Sequence, residues 1–163
     1  MFNCGALGQR KKKLIRGEHL AQVSPTARWE RYAHGADIGV RGRGPTVEKA
    51  FEQAAVALVG VITDPSLVEL KEEVIIQCQA PGKEVLLVDW LNALVYEMAV
   101  RRCIFGRFRV RIEGTHLRGI AWGEQADVVR HEPAVEVKGA TFTDLYVGQT
   151  SSGAWVAQYV VDV

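Results

Sequence analysis

Residues 37–65 read DIGVRGRGPTVEKAFEQAAVALVGVITDP, and the order of the fold starts here. Ile38 and Val40 alternate with Arg41 and Arg43, the period of a short strand. Gly42, Gly44 and Pro45 end it, and Thr46 is placed to cap a helix. From Val47 the period changes. Val47, Ala50, Phe51, Ala54, Leu58 and Ile62 recur at helical spacing and form one apolar stripe. Glu48, Lys49, Glu52 and Gln53 are expected to face water. Asp64-Pro65 stops the helix, because proline disfavours helical backbone in the residue before it.

Downstream, residues 68–80 alternate apolar and polar side chains and predict a half-exposed antiparallel strand, broken locally at Glu72 and Ile75. Pro81-Gly82 makes a turn. Residues 84–101 carry Leu86, Leu87, Trp90, Leu91, Leu94, Val95 and Met98, the broad apolar face of a second helix. After it the chain reads mostly as strand. Phe108, Val110 and Ile112 alternate with Arg107, Arg109 and Arg111. Further strands are predicted over 117–122, 134–147 and 155–162, with a Gly/Ser-rich loop at 148–153. Strands bunched late around two helices predict an α+β fold, two helices packed on one side of a mainly antiparallel sheet.

Upstream, residues 1–28 show no persistent period and carry the basic run Arg10-Lys11-Lys12-Lys13. They are read as a flexible N-terminal extension, with one domain over 29–163. A chain of 163 residues suits one domain and can bury a sizeable core without disulfides or metals. The net charge of +1 gives no global argument for nucleic-acid binding. Cys4, Cys78 and Cys103 form no CxxC pair and no zinc spacing, which fits a reducing cytoplasm. No apolar run is long enough for a membrane span.

Two carboxylates stand out. Asp37 opens the first strand beside glycines, where a turn role is the plain alternative. Asp162 lies in the apolar run Val160-Val161-Asp162-Val163, where a lone charge needs a cation or a basic partner. With the main-chain oxygens of Val163, the two would make a hard-oxygen site suited to Ca²⁺ or Mg²⁺. Spacing alone does not bring them together. His34, His131, Lys138 and Asp89 are further candidates for contacting a partner or a phosphate. Asp89 shares a helix face with Asn92. The row Arg107, Arg109, Arg111 is either a solvated face or a patch for RNA or an acidic partner. There is no G-x-S-x-G elbow, no phosphate-cradling P-loop and no H-x-x-x-H pair.

In order along the chain stand HGADIG (34–39), TVEKAFEQAA (46–55), LLVDWLNAL (86–94), GEQAD (123–127), RHEPAVEVKGATF (130–142) and WVAQYVVDV (155–163). With these motifs the sequence resembles the archease family from about Arg31 to Val163. The resemblance implies an accessory protein without catalytic residues of its own. It implies a GTP-dependent RNA ligase as partner, whose guanylylation and multiple turnover are promoted in tRNA splicing or RNA repair. RNA would be met indirectly, through the ligase. Asp37, Asp162 and Val163 correspond to the family's metal ligands, with Ca²⁺ the expected ion and Mg²⁺ the other candidate. The family commonly has threonine where this chain has Gly35, and often histidine where it has Thr143. A small metal-dependent hydrolase of nucleotides or phosphoesters is the other reading, with His34, His131 or Lys138 as its base.

Overall fold

The computed structural model describes residues 26–163. Most of the expected N-terminal extension, with its basic run and Cys4, lies outside the described residues. Two antiparallel sheets form, where the sequence suggested one. The first has the order β1-β2-β8-β6, with β7 also pairing with β8. The second has the order β3-β5-β4. The strands are β1 (Arg28–His34), β2 (Asp37–Gly44), β3 (Glu72–Gln79), β4 (Cys103–Glu113), β5 (His116–Gln125), β6 (Gly139–Ala140), β7 (Tyr146–Gln149) and β8 (Trp155–Asp162).

Helix α1 (Val47–Ile62) follows β2 and turns back across it. The Thr46 hydroxyl accepts the Lys49 N–H at 3.2 Å, so the expected cap is the one that forms. On one side α1 lies against β2 at Gly42. A Cβ there would stand 2.2 Å from the Ala54 nitrogen and 2.3 Å from the Ala50 carbonyl oxygen, so only glycine lets these backbones meet. Tyr159 on β8, fully buried, donates its hydroxyl to the Ala54 carbonyl at 2.8 Å and fixes the same contact one strand over. The opposite side of α1 meets the second sheet. Glu52, expected to be solvated, is 6% exposed. Its Oε1 accepts the Val110 N–H of edge strand β4 at 3.0 Å, and its Oε2 pairs with Lys49 at 2.8 Å. A helix carboxylate thus covers part of a strand edge that would otherwise leave donors unpaired.

Helix α2 (Lys83–Arg101) buries Leu86, Leu87, Trp90, Leu91, Leu94 and Met98, as its apolar face predicts. It packs on the second sheet and also reaches β6, where Asn92 acts as a surrogate strand. Its Oδ1 accepts the Ala140 N–H at 2.9 Å, and its Nδ2 faces the Ala140 carbonyl at 3.4 Å.

Several elements differ from the sequence reading. The strand expected from Val68 begins only at Glu72, because Pro65–Leu67 forms a 3-10 turn held by the Asp64 side chain. The strand expected over 134–147 shrinks to the two residues of β6, followed by β7. A short helix, α3 (Val128–His131), precedes it, capped by Asp127. Strand β1 has no counterpart in the expected elements. It is a partly exposed edge strand, so its apolar residues make no strong stripe.

The Gly42 contact gives a stability prediction. Gly42→Ala places a methyl group against main-chain atoms that cannot yield. It is expected to destabilise by at least the ~1–3 kcal/mol typical of core overpacking. Urea unfolding with the midpoint of the variant unchanged from that of the parent would refute this account of the β2–α1 packing.

Candidate functional site

The sheet register decides which candidate residues meet. In the β2–β8 ladder Ile38 pairs with Val161, Gly39 with Val160 and Arg41 with Gln158. The next residues beyond the Ile38–Val161 pair are Asp37 and Asp162, so the two carboxylates stand side by side at the end of the sheet. His34 pairs with Asp37 across the β1–β2 hairpin, and Gly139 of β6 pairs with Asp162. The Lys138 N–H donates to the Asp162 carbonyl at 2.8 Å. One sheet end therefore gathers His34, Asp37, Lys138, Asp162 and Val163, drawn from four segments of the chain. Lys138, Asp37, Asp162 and Val163 are exposed.

The local structure follows from residue type. His34 and Asp37 are joined by a two-residue turn whose first position, Gly35, has φ +62°. Glycine adopts this backbone without steric cost, which suits the primed turns that join right-twisted strands. Asp37 thereby begins its strand in a fixed position. Neither Asp37 nor Asp162 enters an ion pair among the described residues. Like charges directly opposite in a sheet repel, so this pair is held in place by the ladder against its own electrostatics.

Asp37 and Arg41 lie on the face of β2 away from α1. Farther along that face the charges are matched. Glu30 accepts from Arg41 at 2.8 Å and Arg43 at 3.2 Å, and these guanidinium groups hold its carboxyl below the usual range. Arg41 also donates to Gln158 at 2.7 Å and lies over the Tyr32 ring, 4.7 Å from its centroid. Tyr32 donates its hydroxyl to Asp144 at 2.7 Å, and burial together with that carboxylate raises its pKa.

His131 is not at this sheet end. It is 2% exposed and belongs to a second polar cluster around Glu124, also 2% exposed. Its Nδ1 accepts the Asp127 N–H at 2.9 Å, which leaves the ring proton on Nε2, 2.9 Å from Glu124 Oε1. Both ring nitrogens are committed within the fold. The same carboxylate takes the Glu69 N–H at 2.9 Å, Arg130 at 2.5 Å and Lys71 at 3.3 Å. The Thr63 hydroxyl at the end of α1 donates to the His131 carbonyl. The cluster ties α1, β5 and α3 together.

Asp89 lies exposed on α2, three residues before Asn92, which docks on β6. Arg107, Arg109 and Arg111 share the face of β4 that no helix covers. The reading of the sequence missed Glu124 and Glu52 as organising carboxylates. For Glu124 the available signal was a glutamate at the end of an alternating strand with two basic residues, Arg130 and His131, one short turn downstream. For Glu52 the only signal was its place beside the apolar stripe of α1. Cys103 is buried and Cys78 half-buried, both as free thiols, and burial raises both pKa values.

Known proteins share this chain's pattern over nearly all of the described residues. The model of the Archease protein family (MTH1598/TM1083) matches residues 29–163. Protein archease of Pyrococcus furiosus is 42% identical over 139 residues, covering 83% of this chain and 98% of that protein. Protein archease of Sulfolobus acidocaldarius is 36% identical over 138 residues, covering 83% and 99%. The solution structure of Methanobacterium thermoautotrophicum protein 1598 superposes with a TM-score of 0.72 at 33% identity, covering 83% of this chain and 98% of that one. A small α+β chain with an open acidic strand end and a separate, internally satisfied polar cluster is what the geometry describes. The chain belongs to the archease family. It is accordingly an accessory protein rather than an enzyme.

The Glu124 cluster carries a pH prediction. The Arg130 guanidinium, above all, holds the Glu124 carboxyl far below the ordinary carboxylate range. Burial opposes this, and the Glu69 N–H, His131 and Lys71 add to it. A depressed folded-state pKa means that the unfolded chain takes up the proton first as pH falls. The stabilisation is complete above the usual glutamate value of about 4.3 and drains away below it. Glu124→Gln should be less stable at neutral pH and should lose less than the parent on acidification below that value. Parallel urea midpoints at neutral and acid pH check this, and equal acid losses in both proteins would contradict it.

Proposed function

We propose that this protein activates a GTP-dependent RNA ligase, promoting guanylylation of the ligase's active-site histidine and its multiple turnover in tRNA splicing or RNA repair. Membership of the archease family supports the class of role. The observation that carries the reading is the register that sets Asp37 beside Asp162 at an exposed sheet end, with no counter-ion among the described side chains.

The donor set fits a hard divalent cation. Carboxylates opposite each other in an antiparallel pair start from Cβ atoms about 4.5–5.5 Å apart, close enough to share one ion. Asp37, Asp162 and the main-chain oxygens of Val163 would hold it, all oxygen donors, as Ca²⁺ or Mg²⁺ requires. Ca²⁺ is the ion that the family resemblance implies, and Mg²⁺, which binds through one or two carboxylates together with waters and phosphates, is the other candidate for the same donors. When bound, the ion supplies positive charge that offsets phosphate charge.

The chain's own residues do the rest. Asp37 and Asp162 present the site on rigid strand ends. Lys138, exposed and hydrogen-bonded through its N–H to Asp162, is placed to meet a phosphate of the ligase-bound nucleotide. His34, paired with Asp37, borders the same surface, and Asp89 is exposed on α2, three residues before the Asn92 that docks on β6. The contact with RNA at this site is made through the ligase. A cytoplasmic setting accords with the free thiols Cys78 and Cys103. Among the described residues no helix is long and apolar enough to cross a membrane.

The test is ligase guanylylation under multiple-turnover conditions with a ligase from a matched source. The parent protein should raise the rate. Asp37→Ala and Asp162→Ala should each cut the gain by more than about tenfold, since even outer-shell changes cost that much at metal sites. Calorimetry with Ca²⁺ should show lost binding in both, with circular dichroism unchanged. If both variants stimulate like the parent, the acidic end is not the working surface.

A further inference from the structure

The second sheet has one face against α2 and one face that no helix covers. On that open face β4 carries Arg107, Arg109 and Arg111, and β5 carries Arg118, Ile120 and Trp122. The neighbouring β3 adds Ile75 and Gln77. The register brings Arg111 directly opposite Arg118, Arg109 opposite Ile120 and Arg107 opposite Trp122. Gln77 stands on the other side of Arg118, and Ile75 on the other side of Ile120. The four arginines are exposed, and none of them enters an ion pair among the described residues. The face lines a groove of about 710 Å³ that includes Arg109, Arg111 and Arg118.

Folding alone does not account for this arrangement. Like charges directly opposite in a sheet are destabilising, and Arg111 faces Arg118. The chain as a whole is nearly neutral, at +1, so the four positive charges are concentrated on this face rather than shared with the rest of the surface. Its acidic residues sit at the two ends. Glu73 accepts the Trp122 Nε1–H at 3.1 Å, and Glu113 closes the β4–β5 hairpin beside His116. Between them lies a positive strip with an apolar floor of Ile75 and Ile120. At the Glu73 end the Arg107 guanidinium lies over the Trp122 ring, 5.8 Å from its centroid.

We infer that this open sheet face binds a single-stranded RNA segment directly, with Arg109, Arg111 and Arg118 on consecutive phosphates and the Arg107–Trp122 pair as a stacking platform for a base. Arginines two apart on a strand are spaced by roughly 6.8 Å, a run that an extended backbone can follow. A guanidinium offers each phosphate a forked pair of donors, and an acidic protein surface would not need a stacking platform. A basic groove joined to an aromatic ring is how sheets hold single strands without reading their sequence. This surface is separate from the Asp37–Asp162 end, so the inference stands whether or not the ligase role does. It adds a direct RNA contact to the indirect one.

The experiment is fluorescence anisotropy of the full chain with a labelled unstructured RNA of about 20 nucleotides, longer than a typical single-strand site. Salt is varied from about 50 to about 200 mM. The parent protein should bind and weaken steeply with salt. The triple variant Arg109→Gln, Arg111→Gln, Arg118→Gln should bind at least about tenfold more weakly, with a logarithmic salt slope shallower by about 2, or about 0.7 per lost phosphate contact on a single strand. Arg118→Gln alone should flatten the slope by about 0.7 and should not lower the melting temperature, because it removes the repulsion with Arg111. The basic run at 10–13 is common to all these proteins, so the differences report the sheet face. Asp37→Ala should bind RNA like the parent, which keeps a failed ligase assay distinct from a failed RNA assay. No RNA binding by the parent at low salt overturns the inference. So does a triple variant with unchanged affinity and slope, or a face that binds polyglutamate peptide and not RNA.

Discussion

The backbone of α1 touches the backbone of β2 at Gly42, and the rest of the molecule is arranged around that contact. It sets α1 so close to the first sheet that Ala50, Ala54 and Ala57 are the side chains that fit, all fully buried. The helix then has its opposite side free for the second sheet, where Glu52 takes the Val110 N–H. A single helix thereby serves two sheets, which is why the strands do not merge into one. With α1 fixed, Tyr159 anchors β8 to it, and β8 in turn fixes β6 and β7. The terminal strand sits centrally in its sheet, between β2 on one side and β6 and β7 on the other. That central position carries Asp162 to Asp37.

Much of this was legible in the sequence. The helices were readable because their apolar residues recur at 3.6 over several turns and because Thr46 and Asp64-Pro65 mark the ends of α1. Strands β2, β3 and β4 were readable from alternation, and β5 and β8 were expected over 117–122 and 155–162. Asp162 was conspicuous as a charge inside an apolar terminal run, and Asp37 as a carboxylate opening a strand. Their adjacency was not readable, since it depends on a register between segments more than a hundred residues apart. Nor was the position of Glu52. A glutamate at the border of an apolar stripe looks solvated until a strand edge arrives to donate to it. The stretch 134–147 misled because Val135 and Val137 alternate with charged residues like a strand, while the chain there crosses from α3 to the sheet edge with only Gly139 and Ala140 in a ladder. His131 carried a similar ambiguity. A histidine in a polar segment has the same one-letter context whether it is a surface ligand or, as here, a buried donor to Glu124.

The polar groups sort into two kinds by whether their charges are answered within the fold. Glu30, Glu52 and Glu124 each meet a cation or several N–H donors, and their carboxyl oxygens are spent on holding elements together. Removing such a group leaves its partners unsatisfied, and the cost falls on stability. Asp37 and Asp162 at one end, and Arg109, Arg111 and Arg118 on the open sheet, meet no opposite charge among the described residues, and in both places like charges stand opposite each other. Such repulsion lowers stability slightly, and a bound counter-charge would relieve it. An acidic end calls for a cation, and a basic strip calls for an anion. A helper that acts between a nucleotide-charged protein and an RNA would present both. The two surfaces are built on different sheets, and α1 packs against both. Their electrostatics are therefore separable, and each can be altered without unmaking the helix contact that holds the fold.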